Sequence, residues 1–415
     1  MVSYIVHLNF FSSTFSSLRS RNFRNFWLGQ CLSVIGTWIQ RTSQTWLVYQ
    51  MTKSALLVGV VTACQFIPIL GLTLIAGTLI DRYPKRTILL ITQFGFLLLG
   101  LAMTILVFSG VIQYWQVLVI ALGYGTLQSI DTPTRQSFVV ELVGQKDLMN
   151  GISLNSSIFN LAKIVGPAIA GILIVKVGIG WCFLIDTGSY IAVILGLYHV
   201  QTIQKTTTSV RHAVLQDIHE GLAYVWHNDN IRISAEMMLI VCTLNFNNNV
   251  IIPIYAQTVL HQGAQGYASL LSATGIGSLI AAFLMSYLAR YGLRRSLYLL
   301  VTAGTIVVQM AMVFVHSYGL AWGLMVVIGF CNMIFLNQSN ASFQFSVPDA
   351  LRGRIMSVYV LLNQGSTPIG SLYVGGIMDL TSGLFGFPAC GLLALILLVP
   401  LLVSNRFVVK KWLTH

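Results

Sequence analysis

Residues 77–86 read Gly77-Thr78-Leu79-Ile80-Asp81-Arg82-Tyr83-Pro84-Lys85-Arg86, a basic turn set between apolar stretches at 56–80 and 87–108. Each part has a physical use. Gly77 lets a neighbouring helix approach closely, Pro84 breaks the first stretch after a short turn, and the basic residues suit anionic headgroups. Asp81 stands against that cationic cluster, where it pairs with a cation or accepts backbone N–H groups at the end of another helix. Both flanking stretches meet the length of about 20 apolar residues needed to cross a bilayer, so the decapeptide reads as the turn between two membrane spans.

The rest of the chain repeats that grammar. Of 415 residues, 56% are hydrophobic and 8% charged, with a mean hydropathy of +0.79, more apolar surface than a water-soluble fold can bury. Twelve apolar stretches fall at 26–48, 56–80, 87–108, 115–132, 151–177, 181–199, 233–256, 267–288, 297–315, 322–343, 355–378 and 384–403. Inside lipid their backbone groups must pair within each segment, which means helices. The expected fold class is therefore all-α integral membrane, with twelve transmembrane helices.

A net charge of +12 would suit a nucleic-acid partner only if it lay on a soluble face. Instead, 19 of the 23 Lys and Arg residues fall in the loops on the N-terminal side, such as Arg82 to Arg86, Arg290 to Arg295 and Arg352 to Arg354. Lys53 and Lys176 fall opposite, while Arg41 and Lys163 lie within helices. The positive-inside rule then puts both termini in the cytoplasm, and no nucleic acid is expected as a partner. The six cysteines form no C-x-x-C and there is no His cluster, so no metal site, disulfide framework or cofactor is expected. G-x-S-x-G, H-E-x-x-H and Walker loops are absent, which argues against an enzyme.

The longest polar stretch is 201–232. It divides the chain into a segment at 1–18, a six-helix bundle at 19–200, a linker at 201–232, a second bundle at 233–404 and a tail at 405–415. Within the linker, Val214, Leu215, Ile218, Leu222, Val225 and Trp226 recur at helical spacing opposite Gln216, Asp217 and Glu220, reading either as an amphipathic helix on the membrane surface or as a solvated connector. The halves repeat weakly. Gly123-Tyr124-Gly125, then Asp131 and Glu141, recurs as Gly329-Phe330-Cys331, then Asn337 and Asp349; the basic turn recurs at Arg290 to Arg295. Both offsets are about half the chain, as in parallel transporter repeats.

The decapeptide resembles the loop signature of the major facilitator superfamily, departing only at Ile80, which takes a small-residue position. Agreement continues through residues 22–30, Gly36-Thr37-Trp38-Ile39-Gln40-Arg41, Trp46 to Tyr49, Asp131-Thr132-Pro133-Thr134-Arg135-Gln136, Asn155 to Pro167, and Val347 to Arg354. These segments are similar to the bacterial branch that holds macrolide-efflux and enterobactin-exporter proteins. The resemblance implies two six-helix pseudo-repeat bundles rocking about a central site, with a cytoplasmic gate of Gly77, Asp81, Arg82, Lys85 and Arg86 and with Arg135 as the fourth-helix partner of Asp81. The second copy carries Ala289 in place of the acid, so such a latch is asymmetric. Gly166-Pro167 to Gly171 resembles the exporter motif of the fifth helix, with Ser153 and Ala162 in place of its upstream glycines.

A cavity between helices needs polar stripes, and the first helix has one. Gln30, Ser33, Thr37, Arg41 and Gln44 step by three or four along one face. Asn245, Asn247, Asn248 and Asn249, followed by Pro253 as the expected bend, and Asn363, Gln364, Ser366, Thr367 and Pro368 add to the candidate wall, as does a tenth-helix cluster from Asn332 to Asn340. About half of these groups are expected only to tie helices together. Intramembrane charges are functional candidates by default. Arg41 and Lys163 lie about 25 Å and about 20 Å along their helices from the cytoplasmic ends, an excess of positive charge that suits anionic or carbonyl-rich substrates. A structural Arg41–Asp186 ion pair is the competing expectation, while Lys163 has no evident partner. For proton coupling, Asp131 ranks before Asp186 and Glu236 because it can exchange Arg135 for a proton; a permanent salt bridge is its alternative.

The expected function is proton-coupled efflux of a small amphipathic organic compound by a monomer in the bacterial cytoplasmic membrane, its partners being that substrate, protons and the lipid bilayer. A dedicated siderophore exporter, a nutrient importer and a non-transport membrane receptor are the alternatives.

Overall fold

Polar caps carry the apolar stretches into helices longer than hydropathy alone predicts. The first, α1 (Arg21–Thr52), begins where the Ser20 hydroxyl accepts the Phe23 N–H at 3.4 Å and stops at Lys53, which turns left-handed at φ 54°. Its successor α2 (Ala55–Arg82) starts with the Ser54 hydroxyl accepting the Leu57 N–H at 3.1 Å; such caps satisfy donors that a helix start leaves free. The basic turn is as tight as expected, Pro84 capping α3 (Lys85–Phe108). There follow α4 (Tyr114–Val143), α5 (Leu148–Lys176) and α6 (Ile179–Tyr198). After the linker come α7 (Val214–His227), α8 (Asp229–Asn245), α9 (Asn248–Thr258), α10 (Ala264–Leu288), α11 (Arg295–Ala311), α12 (Tyr318–Phe345), α13 (Arg352–Gly365), α14 (Thr367–Leu380) and α15 (Gly386–Ser404).

The structure, a computed structural model, describes residues 16–144, 147–200, 214–288, 295–345 and 351–406, with the backbone alone at 73–78, 81, 214–219, 221, 229–230 and 352–354. The expected N-terminal segment up to 15, much of the linker and tail, the second basic turn with Ala289, Arg290 and Arg294, and Asp349 lie outside the described residues, as do the side chain of Asp81 and the surroundings of Gly77.

Among the described residues, nine segments are long and apolar enough to cross a membrane. Two of the other expected spans, α1 and α4, are 32 and 30 residues long; polarity sets them apart, as befits helices that turn a face toward water rather than lipid. The remaining expected span is broken into α13 and α14 at Ser366, with Pro368 in the first turn of α14, where its missing N–H costs nothing. The seventh span is also broken, but not at Pro253 as expected. It breaks at Phe246 and Asn247, because the Asn247 amide donates to the Thr243 and Leu244 carbonyls at 2.7 and 3.1 Å and ends α8. Pro253 sits inside α9. The polar linker also ends sooner than expected, α8 beginning at Asp229. Helix α7 packs on α13 and α8, with Val225 buried and Leu222 and Trp226 exposed.

The internal repeat is visible in the packing. A Cβ on Gly125 of α4 would fall 2.2 Å from the Gln65 carbonyl oxygen of α2, and one on Gly329 of α12 would fall 1.9 Å from the Thr274 oxygen of α10. The two crossings are alike in each half, although the contact falls on Gly125 rather than on Gly123, the residue that aligns with Gly329. Between the halves, α2 runs along α14 and α5 along α10. Ser272 donates to the Ile164 carbonyl at 2.9 Å, Ser371 to the Gly59 carbonyl at 3.1 Å, and Trp46 stacks on Tyr267 with centroids 5.7 Å apart. At the end where Lys53 lies, the Asp379 carboxylate accepts the Ala55 and Leu56 N–H groups at 2.6 and 3.2 Å and the Ser54 hydroxyl.

Candidate functional site

Because α1 and α4 keep polar residues on their inner faces, the centre of the bundle holds, among the described residues, three cavities that concern the expected site. The first, of about 250 Å³, is bounded by Thr37, Trp38 and Arg41 of α1, by Gln128, Asp131 and Arg135 of α4, and by Tyr190 of α6, and Gln364 of α13 closes it from the second half. The second, of about 20 Å³, touches Arg41, Gln44, Gln65 and Asn249. The third, of about 160 Å³, lies between Trp38 and Lys163 on one side and Phe246, Asn248, Asn249 and Asn332 on the other. Arg41 and Gln65 belong to the first two, Trp38 to the first and third, and Asn249 to the second and third. The three spaces therefore share walls around one turn of α1.

Thr37, Arg41, Gln44, Lys163, Asn248, Asn249 and Gln364 thus lie in the walls of these cavities. Three other candidates do not. Gln30 and Asn245 are fully buried away from these cavities, with both amide atoms of each lacking a hydrogen-bond partner. Asn363 stands beside Cys242, Sγ to Oδ1 at 4.0 Å.

The Arg41–Asp186 ion pair does not form. Arg41 donates from Nη2 to Gln128 Oε1 at 2.8 Å and lies over the Trp38 ring at 5.8 Å, while its Nε is buried without a partner. Asp186, fully buried on α6, accepts the Tyr190 hydroxyl at 3.1 Å through Oδ2, and its Oδ1 has no partner. Tyr190, which holds Asp186, and Arg41 line the same cavity.

Asp131 is held quite differently. Its Oδ1 accepts Thr92 Oγ1 at 2.8 Å and Gln93 Nε2 at 2.9 Å, and its Oδ2 accepts Arg135 Nε at 3.0 Å and also Arg135 Nη2. Both carboxylate oxygens are occupied, and Arg135 is committed one turn away on its own helix. In the basic turn, Arg86 donates to the Leu197 and Tyr198 carbonyls, each at 2.8 Å, and so caps α6. Lys85 pairs with Glu141 of α4 at 3.2 Å, and Arg82 is exposed. Glu236 faces Arg232 at 3.7 Å, one helical turn away and outside the three cavities.

Sequence reasoning missed Gln65, Gln128 and Tyr190 in the cavity walls. A signal existed for Gln128, which lies three and seven residues before Asp131 and Arg135 on one face of α4. Tyr190 likewise follows Asp186 by one turn.

Comparison with known proteins places this geometry. The family described as transmembrane secretion effector matches residues 12–414. The staphyloferrin A transporter of Staphylococcus aureus is 25% identical over 364 residues, covering 87% of this chain and 89% of that protein. The multidrug efflux pump Tap of Mycolicibacterium fortuitum is 27% identical over 343 residues, covering 80% and 83% respectively. Among solved structures, a bacterial homologue of the iron transporter ferroportin in an inward-facing state superimposes with a TM-score of 0.70 at 18% identity, over 95% of this chain and 99% of that one.

Proposed function

This chain belongs to the transmembrane secretion effector family of major facilitator transporters, and we propose that it exports a small amphipathic organic compound by alternating access, in exchange for protons. The observation that carries this reading is the set of linked cavities whose walls come from both halves of the chain, Thr37, Arg41 and Lys163 facing Asn248, Asn249 and Gln364. A chamber walled by two bodies opens when one tilts against the other. Efflux-type relatives support the outward direction.

In this reading all twelve rods cross the cytoplasmic membrane of a bacterium, both termini lie inside, and residues 201–232 join two rocking bundles. The clasp at Asp379 then lies on the outer face, so the conformation is the one loaded from the cytoplasm. Gly77, Asp81, Arg82, Lys85, Arg86 and Arg135 form the cytoplasmic gate. The proton site is Asp186 rather than Asp131: a carboxyl with one oxygen unoccupied, beside a tyrosine hydroxyl and within reach of Arg41, is free to exchange a proton. Asp131 has no oxygen to spare.

Thiols engineered at positions 37, 44 and 248 test the chamber. A membrane-impermeant reagent should label them from one face, with added substrate altering the rate, whereas three unreactive positions would remove the carrier reading. Direction follows from comparing parent and deletion strains. An exported compound falls in the medium and rises in the cells on deletion, and the reverse pattern means import.

Dedicated export of a siderophore is the second reading. It is favoured by the staphyloferrin A transporter among the relatives and by the unpaired cations of the chamber.

A further inference from the structure

Two cations at the centre of this protein, Arg41 and Lys163, have no carboxylate within ion-pair distance among the described residues. Arg41 spends its Nη2 on a neutral amide, and its Nε is buried with nothing to donate to. Lys163 forms no hydrogen bond or ion pair with any described residue, although it borders the third cavity. Both stand by Trp38, Arg41 over its ring at 5.8 Å and Lys163 with it in the wall of the third cavity. A charge taken out of water without compensation is costly, and a second like charge beside it raises that cost.

The carboxylates nearby do not remove the imbalance. Asp131 is matched one to one by Arg135. Asp186 faces Arg41 electrostatically but makes no contact within ion-pair distance and gives its Oδ2 to Tyr190. Arg41, Lys163 and Asp186 together leave one positive charge over. That charge sits where the cavities meet, at Trp38, whose ring underlies Arg41 and borders both larger spaces. Apolar surface is at hand as well, Phe159 in the first cavity and Phe246, Met333 and Leu336 in the third.

We propose that the exported compound is an organic anion whose carboxylate, or an equivalent oxyacid group, seats between Arg41 and Lys163 while its apolar body lies against Trp38 and Phe246. The guanidinium offers a planar fork of donors and the ammonium a compact charge, a combination that favours an oxyanion over a neutral carbonyl. Cavities of about 250 and about 160 Å³ with aromatic walls suit an organic molecule better than a small inorganic ion. The proposal rests on the export reading and names its substrate class.

The test uses the full chain in living cells, with the pool of native small molecules as the probe. Medium and cell extracts from the deletion strain, complemented with the parent chain, Arg41→Gln, Lys163→Gln or Arg41→Lys, are fractionated on an anion-exchange resin at neutral pH and read by mass spectrometry. The amount of monodisperse protein in the membrane is measured for each variant. Compounds that depend on the parent chain for export should bind the resin. Their export per folded molecule should fall about tenfold or more in each Gln variant, the loss of one charge-assisted contact, and recover in part with Arg41→Lys. Should Arg41→Gln fail to accumulate, Lys163→Gln and Arg41→Lys carry the comparison. Dependent compounds that are neutral or cationic, or anions exported equally by the Gln variants, would overturn the proposal and leave export standing. A medium that does not change on deletion would overturn export itself, and this inference with it.

Discussion

The carboxylate of Asp379, at the end of α14, accepts the backbone N–H of Ala55, at the start of α2, at 2.6 Å across a separation of 324 residues in sequence. An anion at a helix start is favoured by the free N–H groups and by the helix dipole. Here that end effect joins the two halves of a transporter. If the halves part on this side, as the proposed alternating access requires, Asp379 is released to water, and the contact should bias the protein toward the arrangement closed here.

Asp379→Asn should therefore loosen the clasp without unfolding the protein. In a background lacking the six native cysteines, a thiol at position 62, which borders the second cavity, should be labelled from outside about two- to fivefold faster, the size of an exposed helix-end contact. Asp379→Glu should label at nearly the parent rate. Equal rates for the parent and Asp379→Asn would mean that the contact does not bias the gate.

The glycines that bring helices together should be sorted by what surrounds them. A Cβ on Gly277 of α10 would fall 1.9 Å from the Val326 carbonyl oxygen of α12, whereas one on Gly376 of α14 would meet nothing within 4 Å. Backbone cannot yield as a side-chain tip does. Gly277→Val should cost at least the roughly 1–3 kcal/mol of an overpacked core and reduce folded protein in the membrane, and Gly376→Ala should not. Thermal unfolding of the two variants in detergent checks the contrast.

These relationships were unequally legible in the chain. Pro84 and the stepping of Thr37, Arg41 and Gln44 along α1 are local patterns, set by helix geometry within a few residues, and they could be read directly, whereas the break before Pro368 was not. The break at Asn247 was harder to read, because an asparagine within a run of asparagines gives no sign of which one will turn its amide onto the preceding carbonyls. Asp379 is a polar residue whose partners lie on another helix, and Gln65 meets residues of α1 and α4 only across a cavity, so nothing nearby in sequence marks either of them. The expected Arg41–Asp186 pair went wrong in the same way. Gln128 and Tyr190 took the contacts instead.

Asp131 and Arg135 should behave as a structural unit. Replacing Asp131 by Asn leaves the guanidinium of Arg135 without its counter-charge among buried side chains, a loss of about 3–5 kcal/mol for a broken buried pair. The expected outcome is less folded protein and a lower unfolding temperature for Asp131→Asn and for Arg135→Gln alike. Normal folding of Asp131→Asn with loss of transport alone would instead assign Asp131 to the transport cycle.

Asp186 should show the opposite pattern. It has no ion partner within bonding distance to strand, and Asn keeps an acceptor for the Tyr190 hydroxyl, so Asp186→Asn should fold and insert at the parent level. What it lacks is a group that gains and loses a proton. In membrane vesicles turned inside out, the parent should accumulate the exported compound against its gradient when protons are pumped in, and Asp186→Asn should only equilibrate it. Exchange of labelled for unlabelled compound across the membrane, which needs no proton, should persist in the variant. Tyr190→Phe removes the hydroxyl that holds Oδ2 in place and should shift the pH at which transport is half-maximal while sparing that exchange. If Asp186→Asn still concentrates the compound in response to a proton gradient, the coupling group is elsewhere.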